Sequence, residues 1–150
     1  MKTQQPVVEN LSFGKLSLFE EYAVIECFCG VDVGYPEIEE LKRSLFPHYK
    51  NRIFGLVANR VNQYSVKLLA IKDLFSAQNL VAGAIIPSSS VGKIAALMED
   101  EIVEDAPIQV FSILNEAITW VLDQVAIKNQ KERFNKPEPS KPEQETWGFR

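Results

Sequence analysis

The sequence is organised around a strand–loop–helix unit that occurs three times. Its first copy begins with an apolar run at residues 53–58, continues through a polar loop at residues 59–64, and enters a helical pattern at Ser65. The run shows no alternation of apolar and polar residues, which is typical of a strand covered on both faces by helices. Residues 80–86 and 108–113 open the second and third copies. Repeated units of this kind predict a parallel sheet, because each helix returns the chain to the same end of the sheet.

An antiparallel hairpin is predicted ahead of these units. Residues 11–19 and 22–28 are two β-rich runs that meet at Glu20 and Glu21. A first helix follows from Pro36, because proline fits the first helical position, where its missing N–H is not needed. The other three helices are predicted to begin at Ser65, Val91 and Asn115. The predicted fold class is therefore α/β: a mainly parallel sheet with an antiparallel N-terminal hairpin strand and four helices.

Length and composition indicate one ordinary globular domain. The chain has 150 residues, of which 46% are hydrophobic and 24% charged. The domain is predicted at residues 11–128, after a flexible N-terminus at residues 1–10. Residues 129–150 are rich in lysine, glutamate and proline, which predicts a disordered tail. Trp147 and Phe149 near its end are either incidental or dock on a neighbouring chain.

Charge and hydropathy patterning disfavour several classes of function. The net charge of −4 provides no basic field for nucleic acid. No apolar run approaches the ~20 residues of a membrane span, and residues 1–10 lack the apolar core of a signal peptide, so a cytoplasmic protein is expected. Cys27 and Cys29 suit neither a disulfide nor a closed zinc site and are predicted to be small buried hydrophobes. His48 is expected at a helix end, and no metal or cofactor is predicted.

The loops that follow the parallel strands are the places where a site is expected, because ligands of open α/β sheets bind beyond the carboxyl ends of the strands. One of these loops, residues 87–93, ends in Gly-Lys like a phosphate-binding loop, but Pro87 and Ile94 replace the first glycine and the metal-binding hydroxyl residue. We interpret it as a serine-rich helix start, with a weaker anion site as the alternative. The candidate anion-binding residues are Ser88, Ser89, Ser90 and Lys93.

The loop at residues 59–65 carries the other candidate site. Ser65 is predicted to cap the following helix, and the functional alternative is phosphorylation, since a phosphate would there meet a helix N-terminus and two basic side chains. No set of nucleophile, base and orienting residue is visible in these loops, so catalysis is not predicted. The candidate binding surface consists of Asn59, Arg60, Asn62, Tyr64 and Lys67.

The element order and the stretch at residues 52–69 resemble the STAS domain, the fold of the SpoIIAA-type anti-sigma-factor antagonists, with the lipid-binding SEC14 (CRAL-TRIO) fold as a relative. The resemblance covers residues 11–128. In that family the strand leads into an Asp-Ser-(Ser/Thr)-Gly turn whose serine is phosphorylated by a partner kinase. The corresponding stretch here is Tyr64-Ser65-Val66-Lys67, so only Ser65 carries over from the family's turn.

Two functional hypotheses follow from the resemblance and from the residues. The first is a non-enzymatic STAS-like regulatory domain that binds a protein partner, or a second copy of itself, through the surface around the second helix. The alternative is a domain that binds a small apolar ligand or a lipid, as the SEC14 relationship and the abundance of Phe, Ile and Leu suggest.

Overall fold

The computed structural model describes residues 5–89 and 106–135, with side chains described up to residue 133. Its main sheet has six strands in the order β1-β2-β3-β5-β7-β8. Those strands are β1 (Val7–Leu11), β2 (Gly14–Leu18), β3 (Tyr22–Cys27), β5 (Phe54–Asn59), β7 (Leu80–Ile86) and β8 (Ile108–Val110). Two short strands, β4 (Asp32–Val33) and β6 (Ser65–Val66), pair in parallel as a separate ribbon that the sequence did not predict.

The predicted strand directions are confirmed. Strands β2 and β3 form the expected antiparallel hairpin, and β3, β5, β7 and β8 run parallel to one another. The inner strands β5 and β7 are continuously buried over most of their length, as their unbroken apolar runs predicted. The α/β class and the mainly parallel sheet therefore follow directly from the apolar runs in the sequence.

Three helices are present in the described residues, whereas four were predicted. They are α1 (Tyr35–Tyr49), α2 (Leu68–Leu74) and α3 (Leu114–Asn135). The remaining predicted helix was placed from Val91 onward, in a part of the chain that lies outside the described residues.

Both predicted domain boundaries differ from the structure. Strand β1 begins at Val7, inside the segment predicted to be flexible, because these residues pair with β2 and Leu11 is buried. Helix α3 continues to Asn135, past the predicted boundary at residue 128, and Lys128 pairs with Glu132 one turn later at 4.0 Å. Residues 136–150 lie outside the described residues, so a disordered tail there and the docking of its two aromatic residues stay predictions.

The sheet buries an apolar core on each face. Because successive residues of a strand point to opposite faces, Ile25 and Leu56 pack with α1 and α2, while Val24 and Val57 pack with α3. Helix α3 approaches the sheet closely over β5, where a Cβ atom added at Gly55 would overlap Val121. This layering leaves the loops at the carboxyl ends of β3, β5 and β7 at one edge of the molecule.

Candidate functional site

Two loops meet at the carboxyl edge of the sheet, and backbone and amide hydrogen bonds hold them together. They are residues 28–34, between β3 and α1, and residues 60–67, between β5 and α2. The Gly30 N–H donates to the Gln63 carbonyl at 2.8 Å, and the Asn62 amide donates to the Cys27 carbonyl at 3.1 Å. Gly30 has a φ of +80°, a conformation that a residue with a side chain rarely adopts. The two loops thus form one continuous polar surface layer.

Ser65 lies in strand β6 and does not cap a helix. Helix α2 begins at Leu68 with Lys67 as its N-cap, and the Lys67 side chain makes no capping bond. The Ser65 N–H donates instead to the Val31 carbonyl at 3.0 Å, and the exposed Ser65 hydroxyl donates to the Asp32 carboxylate. The chain stays extended here because Val66 turns inward against the apolar core, where a β-branched side chain fits a strand well.

This position changes what a phosphate on Ser65 would meet. The predicted setting was a helix N-terminus beside Arg60 and Lys67, but the nearest charged partner of the hydroxyl is the Asp32 carboxylate. The Lys67 ammonium lies 5.1 Å from the centre of the Tyr35 ring. A phosphoryl group at this serine would therefore repel a carboxylate and weaken the pairing of β4 with β6.

Only some of the residues predicted to form the binding surface are exposed to solvent. Arg60 is buried, with 8% of its area exposed, and its guanidinium carbon lies 5.3 Å from the centre of the Tyr64 ring. Asn59 is half-buried and donates to the Glu26 carboxylate at 3.0 Å. Asn62 and Lys67 are exposed as predicted. The sequence could not distinguish these cases, because a polar residue after a strand can turn either to solvent or under a neighbouring loop.

The partly buried Tyr64 of the second loop forms a polar pair with the buried Cys27 at the end of β3. Burial raises the pKa of the Tyr64 phenol well above its ordinary value, and it also raises the pKa of the Cys27 thiol, which hydrogen-bonds to Tyr64. A thiol held in its neutral form is a poor nucleophile. Cys27 is thus the buried hydrophobe that was predicted, whereas the prediction was wrong for Cys29, which is exposed because it lies in the loop beyond the strand.

A small cavity lies between the sheet and helices α1 and α2. Its volume is about 50 Å³. Most of its lining is apolar, including Val33 and Val66 of the ribbon, and Arg60 and Tyr64 contribute polar atoms at one end. Pockets that hold drug-sized ligands usually measure about 300–1,000 Å³. The cavity is therefore far too small for a lipid chain.

Four exposed apolar side chains lie in the joined loops and in the helix turns that follow them, and none of them is among the predicted site residues. Phe28 and Val61 lie in the two loops with 50% and 58% of their area exposed. Tyr35 and Leu69 stand in the first turns of α1 and α2, at 41% and 53%. The available signal was Val61, an apolar residue inside an otherwise polar loop. We call Phe28, Tyr35, Val61 and Leu69 the edge patch.

The candidate anion-binding loop is described only as far as Ser89. Ser88 is exposed, and the Ser89 hydroxyl accepts a hydrogen bond from the Gln63 amide at 3.4 Å. Ser90 and Lys93 lie outside the described residues, so an anion site in this loop stays a prediction.

In the part of the chain that the structure describes, no group of three or more His, Cys, Asp and Glu side chains is arranged to hold a metal ion. None of the helices in this part of the chain combines the length and the apolar character needed to cross a bilayer.

An open cleft of about 530 Å³ lies at the opposite edge, where the amino ends of the strands meet. Two of its polar side chains, Arg52 and Asn79, are used by the fold itself. Arg52 donates to the carbonyls of Glu20 and His48 at 3.2 and 3.0 Å, and Asn79 donates to the carbonyls of Lys50 and Arg52 at 2.9 and 3.1 Å. These bonds hold the loops at the amino edge in place, so the cleft is a weaker candidate than the edge patch.

No protein-family model matches the sequence, and no curated protein matches it. Among solved structures, the chain is similar to an uncharacterized DUF3478-family protein from Shewanella loihica PV-4, which is described as having a SpoIIAA-like fold. The two are 13% identical, the match covers 81% of this chain and 98% of the other, and the TM-score is 0.48. At this similarity the match carries no argument about this chain.

Proposed function

We propose that this protein is a non-enzymatic interaction module with a regulatory role, which binds a protein partner through the edge patch. The observation that supports this most directly is the concentration of exposed apolar side chains on two neighbouring loops and the helix turns that follow them. Apolar and aromatic side chains at the centre of an interface supply most of its binding energy. Single exposed apolar residues are common on proteins, but a group of them at one edge marks a contact surface.

The loops that carry the patch are well prepared for binding. The Asn62 side chain bonds to the carbonyl of Cys27, so the two loops are joined one residue away from Val61 and from Phe28. Gly30 and Ser65 add backbone bonds between the same two loops. A partner would therefore lose little free energy in ordering this surface, because the loops are already fixed.

The rim of the patch is polar and carries charges of both signs. Asp32 and Lys67 are both exposed beside it. Ser65 hydrogen-bonds to Asp32 and precedes Lys67 by two residues. A charged modification of its hydroxyl would therefore change the charge of the rim. Phosphorylation there would add about two negative charges next to the Asp32 carboxylate, and so would alter the rim and the ribbon together. We propose this as the point of regulation.

Catalysis is less well supported by the side chains at this edge. The partner of the Ser65 hydroxyl is the Asp32 carboxylate, and no histidine or lysine side chain is recorded as a hydrogen-bond partner of this hydroxyl in the described residues. The Cys27 thiol is buried, and its pKa is raised. The lipid-binding alternative is not proposed either, because the cavity of about 50 Å³ gives no room for an acyl chain.

The proposal can be tested by affinity capture from an extract of the source cells, with matched variants. Val61→Asp places a charge in the edge patch, and Ile127→Asp places the same charge at an exposed site on α3, where Ile127 has 47% of its area exposed. We expect the proteins captured by wild type to be retained by Ile127→Asp and lost with Val61→Asp. Identical sets for all three proteins, or no specific capture by wild type, would contradict the proposal.

A further inference from the structure

Helix α3 carries an open groove of about 330 Å³ on its surface. The described residues that line it are three or four positions apart along the helix and therefore share one face of α3. They are Asn115, Glu116, Thr119, Trp120 and Asp123. The groove shares no residue with the edge patch, so it is a separate candidate for a contact site.

Trp120 provides the apolar surface of this groove. Its side chain is partly buried against the core under α3, and its ring centroid lies 5.6 Å from that of Phe111. Packing on the core accounts for the buried part of the indole, and the part that remains exposed lines the groove. Among aromatic side chains, an indole attracts cations to its ring face most strongly. The exposed part of Trp120 is therefore suited to a cation.

Two exposed carboxylates flank Trp120 along the helix. Glu116 precedes it by four residues and Asp123 follows it by three, so the three side chains form one row with the indole in the middle. Neither carboxylate forms a hydrogen bond or an ion pair with a residue that the structure describes. Residues 114–127 contain no lysine or arginine, so this part of α3 supplies no cation beside them. Glu116 suits the first turn of a helix, but Asp123 lies two turns further on, where the helix dipole gives no such benefit.

We infer that this groove binds a protein segment that presents an arginine side chain, with the guanidinium over Trp120 and between Glu116 and Asp123. A guanidinium fits this row because it is planar, stacks on aromatic rings and donates hydrogen bonds to carboxylates from its edges. A lysine ammonium is more strongly hydrated and gains less from such a site. A purely apolar partner would desolvate two carboxylates without pairing them, and an acidic partner would be repelled.

The inference can be tested by NMR titration of the full chain with two short capped peptides. The first has one arginine between glycines, and the second has neutral citrulline in its place, which keeps the shape of the side chain and removes its charge. We expect the arginine peptide to shift the Trp120 indole N–H resonance with a dissociation constant on the order of 1 mM. The citrulline peptide should bind at least about fivefold more weakly.

Two double variants separate the charge of the groove from the charge of the whole protein. Glu116→Gln with Asp123→Asn keeps the shape of the groove and should weaken binding of the arginine peptide at least about fivefold. The control, Glu20→Gln with Glu21→Gln, makes the same change in net charge at two exposed hairpin residues and should leave binding within about twofold.

A third variant, Trp120→Leu, removes the indole and should also weaken binding at least about fivefold. Because Trp120 packs partly on the core, circular dichroism has to show that this variant folds. The two charge variants carry the test if it does not.

Four results would overturn the inference. They are no shift of the Trp120 resonance at ~10 mM arginine peptide, equal binding of the citrulline peptide, and unchanged binding or equal losses in the two double variants. The fourth is a Trp120 shift that depends on protein concentration without peptide, which would assign the groove to a second copy of the chain. None of these measurements involves the edge patch, so the two surfaces are tested independently.

Discussion

At the scale of single residues, Tyr49 joins helix α1 to the hairpin. It has no exposed area, its ring stacks on Phe54 with centroids 4.0 Å apart, and its hydroxyl lies 2.7 Å from the carbonyl oxygens of both Phe19 and Tyr22. Burial raises the pKa of this phenol well above its ordinary value, so it remains neutral and able to donate. A buried hydroxyl between two carbonyls fixes the position of α1 relative to the sheet.

Tyr49→Phe is expected to lower the free energy of unfolding by about 1–3 kcal/mol, because it leaves two carbonyl oxygens in the protein without this donor. Urea denaturation followed by tryptophan fluorescence measures the change. The control is Tyr35→Phe, where the tyrosine is 41% exposed and a change below about 0.5 kcal/mol is expected. Equal effects at the two positions would show that the Tyr49 hydroxyl does not hold the helix.

At the scale of secondary-structure elements, the contact of α3 with β5 depends on Gly55. A Cβ atom at this position would overlap Val121 and lie 3.3 Å from the Ala82 carbonyl oxygen. Gly55→Ala should therefore destabilise the fold by about 1–3 kcal/mol through overpacking. Val121→Ala removes the overlapping atoms, so the double variant should be more stable than the sum of the two single effects predicts, by at least about 1 kcal/mol. Strict additivity in urea denaturation would contradict this close approach.

The ribbon of β4 and β6 is the element that the sequence did not reveal. Ser65 follows a polar loop and precedes an apolar stripe, which is the pattern of a helix cap. The chain instead adds one more extended pair, Asp32 with Ser65 and Val33 with Val66, before α2 begins at Leu68. Val33 and Val66 both line the cavity, so the burial of their side chains favours the extended conformation over an earlier start of the helix. The partner of a two-residue strand is distant in the chain, and local patterns do not indicate it.

Ser65→Asp tests the ribbon and the proposed regulation together. A carboxylate at this position would face Asp32, so we expect a loss of about 1 kcal/mol and faster exchange of the ribbon amides. Ser65→Ala removes only the hydrogen bond and should cost about 0.5 kcal/mol. Adding Asp32→Asn to Ser65→Asp should recover at least half of the loss. If the Asp and Ala variants were equally stable, charge at Ser65 would have no effect on the ribbon.

At the scale of the whole molecule, the sequence predicted the class and direction of the central strands better than their borders. Unbroken apolar runs at β5 and β7 required a sheet covered on both faces. Strand β1 was not predicted because its five residues, Val-Val-Glu-Asn-Leu, do not alternate apolar with polar side chains, and only Leu11 is buried. The direction of β5 places the candidate loop at the carboxyl edge of the sheet, but the burial of Arg60 against Tyr64 depends on tertiary packing that no local pattern contains.

The measurement that tests the central claim most directly is site-specific photo-crosslinking in the source cells. A benzophenone amino acid replaces Phe28 in the edge patch or, as the control, Ile127 on α3, which are exposed to similar extents of 50% and 47%. We predict a discrete crosslinked protein partner from position 28 and none from position 127. Crosslinks that are absent at position 28, or the same at both positions, would contradict the assignment of the edge patch as the binding surface.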